Sequence, residues 1–130
     1  MLEFYDVTVL SWGALALLLI TQIIVADVVG IRSGHKPGAP VEGGHDSLQF
    51  RTSRTVANTN EGIAAYLVAV AFCVFSGADT GYTGYLSWAY VIARYAYAAC
   101  YYADLRMLRS VCFGVSLFAI VGLLAAAFLT

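Results

Sequence analysis

Charge is what this chain has least of: Asp, Glu, Lys and Arg make up 12% of its 130 residues, against 61% hydrophobic residues. Soluble domains average about 25% charged and about 45–50% apolar, and a domain this small would leave much apolar surface in water. A soluble globule is therefore excluded. Seven basic residues stand against eight acidic ones, a net charge of −1, so no patch exists that could neutralise nucleic-acid phosphates. Lysine occurs once, as Lys36 in a polar stretch, which removes Schiff-base chemistry within the membrane. No Lys or Arg precedes the first apolar run, and Glu3 and Asp6 do, so the run reads as a retained span and not as a secretory signal. Cysteine is scarce: Cys73, Cys100 and Cys112 show no paired spacing and read as apolar thiols inside spans.

What remains is long apolar runs. Val7–Ala26, Gly62–Ala78 and Ser110–Thr130 contain no charged residue, and each approaches the roughly 20 residues that a helix needs to cross a hydrocarbon core. A further run from Gly84 to Ala103 is broken only by Arg94. These runs predict an all-α integral membrane protein, a single domain of four transmembrane helices over about 7–30, 49–76, 84–103 and 109–129. The apolar runs are continuous and do not alternate, which excludes a β-barrel. Arg32, Lys36, Arg51 and Arg54 cluster at the first loop and Arg106 and Arg109 at the third, whereas both ends and the 77–83 loop have no basic residue. The positive-inside rule then puts the basic loops in the cytoplasm and both termini outside. Phe4, Tyr5, Trp12, Tyr82, Tyr85 and Trp88 would form the outer aromatic belt.

The first loop holds four glycines, both prolines and both histidines, and reads as a flexible connection. His35 and His45 have no second ligand pair nearby, so they read as solvated loop histidines and no metal site is expected.

Polar groups inside the apolar runs carry the functional signal, because hydrocarbon penalises them. Arg51, Arg54, Asn58 and Glu61 are spaced at 3, 4 and 3 and share one face of the second helix. Arg94, Tyr97 and Tyr101 form a similar stripe on the third, followed by Arg106 and Arg109. Antiparallel neighbours bring Glu61 to about the depth of Arg94, so an intramembrane ion pair is expected there, with Asn58 and the tyrosine hydroxyls filling the remaining hydrogen bonds. Such a pair could also do no more than tie the helices together. Arg51, Arg54, Arg106 and Arg109 exceed the nearby carboxylates, and such a cationic mouth suits an anionic ligand with more than one carboxylate.

At these residues the sequence resembles the family of membrane-associated proteins in eicosanoid and glutathione metabolism (MAPEG), in particular its microsomal glutathione transferases. The family's signature runs Arg, two residues, Arg-Ala, two residues, Asn, two residues, Glu; here it stands as Arg51-Thr-Ser-Arg54-Thr-Val-Ala-Asn58-Thr-Asn-Glu61. A second stretch, with Tyr97 and Tyr101 followed by Arg109-Ser110, is similar to the family's third-helix tyrosine pair and following Arg-Ser. This sequence departs at Thr55, where the family usually has Ala, at Ala64 and Ala65, where it has a Pro, and at Asp27 and Val28, where several relatives are basic.

The resemblance implies a homotrimer of four-helix bundles with glutathione, the co-substrate, held between subunits near the cytoplasmic face. It implies that Arg54, Asn58, Glu61, Tyr97 and Tyr101 bind glutathione, to which the two stripes add Arg51 and Arg94, and that Arg109, with Arg106 as runner-up, stabilises its thiolate. The expected activity is a transferase or peroxidase acting on a lipophilic electrophile or hydroperoxide that arrives from the membrane lipid. A non-catalytic glutathione- or lipid-binding relative and a small proton-coupled exporter are the alternatives.

Overall fold

The computed structural model describes residues 2–130, all of it helical apart from turns and loops. A 3-10 turn, Leu2–Tyr5, leads into α1 (Asp6–Arg32); α2 (Leu48–Ser76), α3 (Thr80–Tyr102) and α4 (Arg106–Phe128) follow. The turn with α1, then α2 and α4, are each long and apolar enough to cross a membrane. Helix α3 carries Arg94 and a run of tyrosines and is not among these.

The helix ends follow from short-range chemistry. Ser47 caps α2, its Oγ accepting from the Phe50 amide at 3.4 Å. Gly77 closes the same helix at φ 71°, and the Ala78 amide donates to the Cys73 carbonyl at 2.9 Å. That left-handed position has no steric cost for glycine. Asp79 then caps α3, accepting from the Tyr82 amide at 2.7 Å. The cap starts α3 four residues before the expected 84, inside what the sequence suggested was a loop. At the other end of α3 the same closure recurs with Asp104 at φ 59°, and the Leu105 amide reaches the Cys100 carbonyl at 2.8 Å. Arg106 and Arg109 consequently lie in the first turn of α4 and not in a loop.

The bundle buries polar side chains beside its apolar centre and exposes large apolar ones. Thr8, Ser11, Gln22, Thr59, Ser87 and Arg94 are buried, while Leu10, Leu17, Val68, Phe75, Ile92 and Phe118 are exposed. Water would reverse that distribution; hydrocarbon or a second protein surface accepts it. Around the apolar centre, Leu15, Leu18, Val70, Val91 and Leu123 pack with the Tyr66 and Tyr90 rings, which stack at 4.1 Å. Three side chains tie helices to backbone carbonyls: Tyr5 to Ala78 at 2.6 Å, Trp88 to Val7 at 2.8 Å and Tyr95 to Ala14 at 2.7 Å. Each satisfies a polar group that lipid could not.

Candidate functional site

Helices α2, α3 and α4 bring the two polar stripes to one side of the bundle. Arg94 is 3% exposed, and its Nη2 donates to Asn58 Oδ1 at 2.8 Å and Thr59 Oγ1 at 3.0 Å. Thr59 Oγ1 also accepts from Gln22 Nε2 at 3.0 Å, which extends the network to α1. The guanidinium lies over the Tyr97 ring, 4.2 Å from its centroid. Among the described residues no carboxylate lies within 4.0 Å of Arg94.

The expected Glu61–Arg94 ion pair therefore does not form within the chain. Glu61 pairs along its own helix instead, with Arg54 at 3.5 Å, and the two side chains are 59% and 40% exposed. Rotation about the helix axes explains the difference. Asn58 points across the α2–α3 interface to Arg94, while Glu61, three residues later, is turned towards the bundle surface. A half-solvated pair of this kind contributes little to stability.

Two adjoining cavities of about 230 Å³ each open along this face and share Asn58 and Phe113. The deeper one meets Glu61, Arg94 and Tyr90 and continues against Leu117 and Ile120, so it is polar at one end and apolar at the other. The shallower one is lined by Tyr97, Arg109 and Ser110. Here the Arg109 guanidinium sits 4.3 Å from the centroid of the Tyr101 ring, and its Nη1 is buried with no hydrogen-bond partner. Ser110 Oγ donates to the Arg106 carbonyl at 3.1 Å. Arg106 itself turns away, 70% exposed and 3.7 Å from Asp104. A separate cavity of about 430 Å³ between the end of α1 and the first loop meets Asp27, His35 and Gln49 but no arginine.

Arg51 is occupied by backbone: Nη1 donates to the His45 carbonyl at 2.7 Å and Nη2 to the Tyr102 carbonyl at 3.4 Å. The first loop is thus tied to the end of α3. His45, read from the sequence as a solvated loop residue, is half-buried, with Nε2 2.8 Å from the Tyr101 hydroxyl. Nothing in the local sequence signals this contact, which spans 56 positions.

Among the described residues no group of three His, Cys, Asp or Glu could hold a metal ion. The chemistry on offer is cationic. Arg94 and Arg109 present unspent donors to a partly dry space, where a fixed positive charge favours an anion far more than it would in water. A thiolate is one such anion. No individual curated protein matches the chain. The MAPEG family model matches residues 9–129, nearly the full length, and the protein belongs to that family.

Proposed function

We propose that the protein is a glutathione-dependent transferase or peroxidase, working as a homotrimer with four spans per subunit. Both termini are outside, and the arginine-bearing starts of α2 and α4 face the cytoplasm with the end of α3 between them, as the distribution of basic residues favours. The observation that carries the reading is Arg109: a guanidinium with a buried, unpartnered Nη1 at the rim of a cavity shared with Asn58 and Tyr97.

Glutathione carries two carboxylates, an ammonium and a thiol. Arg94 and Arg54 suit the carboxylates, Glu61 suits the ammonium, and Arg109 favours loss of the thiol proton without titrating itself. The open side of the site, where Arg54 and Glu61 are half-exposed, is where a neighbouring subunit would complete the wall. The sulfur then attacks a lipophilic electrophile lodged against Leu117 and Ile120. A halide leaves, or an epoxide oxygen opens and takes a proton from water. With a hydroperoxide the O–O bond breaks, the alcohol departs, and a second glutathione converts the sulfenic acid to disulfide and water.

The exporter alternative needs a carboxylate free to load and release a proton. Glu61 instead stands 3.5 Å from Arg54, in an ion pair on its own helix. Calorimetric titration of the detergent-solubilised protein with glutathione, followed by turnover assays on epoxides, halogenated arenes and lipid hydroperoxides, tests the proposal. Binding without turnover on every substrate class would leave a non-catalytic binding protein.

A further inference from the structure

The first loop reaches the edge of the site through one histidine, which contacts the ring beneath Arg109. His45 Nε2 and the Tyr101 hydroxyl share a hydrogen bond of 2.8 Å, the two rings lie nearly parallel at 5.7 Å, and the Phe50 ring meets the imidazole edge-on at 4.9 Å. Arg51 holds the His45 carbonyl from behind at 2.7 Å. The imidazole is therefore held by three residues: Tyr101 through its hydroxyl and ring, Phe50 through its ring, and Arg51 through the His45 backbone. On the other side of this contact, the Tyr101 ring carries the Arg109 guanidinium at 4.3 Å and meets the Tyr97 ring edge-on at 5.6 Å. A phenol free to rotate would be a poor shelf for a cation. One pinned at its hydroxyl is a defined one.

We propose that His45 is a positioning residue: by fixing the Tyr101 hydroxyl it sets the ring on which Arg109 rests, and so sets where the thiolate-stabilising charge stands. This rests on the transferase reading of the site. The role passes through Tyr101, since the imidazole's hydrogen bond goes to the phenol and not to the cavity. It makes the α1–α2 loop a component of the catalytic apparatus and not only a connection. A displacement of a reacting or stabilising group by about 1 Å can cost a rate factor of order a hundred, so a contact with no reach to the substrate can still govern the chemistry.

The test has two arms on the full-length protein. In the first, nitrogen NMR of the two histidines is recorded without ligand. Tyr101→Phe should move the ring signals of His45 and leave those of His35 in place; unmoved His45 signals overturn the proposal. In the second, glutathione affinity and the ultraviolet absorbance of its bound thiolate are measured in His45→Ala, His45→Gln, Tyr101→Phe and the His45→Ala/Tyr101→Phe double variant. His45→Ala should lower the thiolate fraction roughly tenfold at fixed pH, with affinity unchanged within about twofold. The glutamine amide, which can occupy the place of Nε2, should restore most of the signal, and the double variant should be no worse than either single one. Equal thiolate in wild type and His45→Ala, no rescue by glutamine, or additive losses in the double variant would each overturn it. A wild type that forms no thiolate removes the transferase reading and the positioning role with it, while the imidazole signals still report the contact.

Discussion

Arg94 Nη2 donates to Asn58 Oδ1 at 2.8 Å, and the nearest carboxylate on the same stripe, Glu61, is held by Arg54 at 3.5 Å. A buried cation is thus solvated by an amide, a hydroxyl and an aromatic face. Its charge is satisfied by dipoles and not cancelled by an acid, which leaves the site net positive.

That arrangement separates two neighbouring substitutions. Asn58→Ala strands a donor of Arg94 in a dry interior and should lower unfolding stability in detergent by about 1–2 kcal/mol. Glu61→Gln, half in solvent, should change it by less than about 0.5 kcal/mol. A larger loss from Glu61→Gln than from Asn58→Ala would show that Glu61 and not Asn58 supports Arg94.

The two arginines in the first turn of α4 should behave differently. Arg109 faces the cavity and Arg106 faces away. Loss of a preorganised donor costs on the order of a hundredfold in rate, so Arg109→Ala should suppress thiolate formation and turnover to that extent. Arg106→Ala should leave both within about threefold, as expected of an exposed pair. Stopped-flow absorbance of the glutathione thiolate decides it, and the reverse order would move the catalytic assignment to Arg106.

Packing between α3 and α4 depends on a missing side chain. A Cβ at Gly122 would stand 2.9 Å from Leu86 Cδ1 and 3.3 Å from Cδ2. Because these are the ends of a flexible side chain, Gly122→Ala should cost no more than about 1 kcal/mol, and Gly122→Leu about 1–3 kcal/mol. Combined with Leu86→Ala, Gly122→Ala should cost nothing further. Thermal unfolding of the single and double variants checks this, and simple additivity would deny the contact.

In the half of the bundle away from the arginines of α4, Ser11 Oγ and the Tyr66 hydroxyl meet at 2.7 Å with both residues fully buried. Tyr66→Phe keeps the ring stack on Tyr90 and removes the hydroxyl that makes this bond. The expected loss is about 1 kcal/mol, read by the same unfolding assay, with glutathione affinity unchanged.

Periodicity and charge spacing made the helices legible: the expected spans lie within a few residues of α1, α2 and α4. The start of α3 was hidden because the Asp79 cap sits in a polar stretch that composition alone assigns to a loop. Spacing also placed Asn58 and Arg94 on faces that meet. It did not give the angle of each helix about its own axis, and that angle decides that Asn58 rather than Glu61 reaches Arg94. His45 escaped for another reason. Its contact with Tyr101 spans 56 positions of sequence, and no local pattern records which distant ring a loop residue will touch.

Only residues 103–105 separate α3 from α4, with Asp104 in a left-handed turn that a residue other than glycine adopts at some cost. On the proposed topology, this short connection bears on how the protein is made. An arginine at mid-membrane disfavours insertion of a lone segment by about 3 kcal/mol, and α3 emerges from the ribosome with Arg94 in its middle. Helix α2, synthesised earlier, already offers Asn58 and Thr59, and strongly apolar α4 follows within one turn. The two late helices therefore enter the bilayer as a hairpin, and lengthening that connection should trap the chain during biogenesis well before it disturbs the finished bundle.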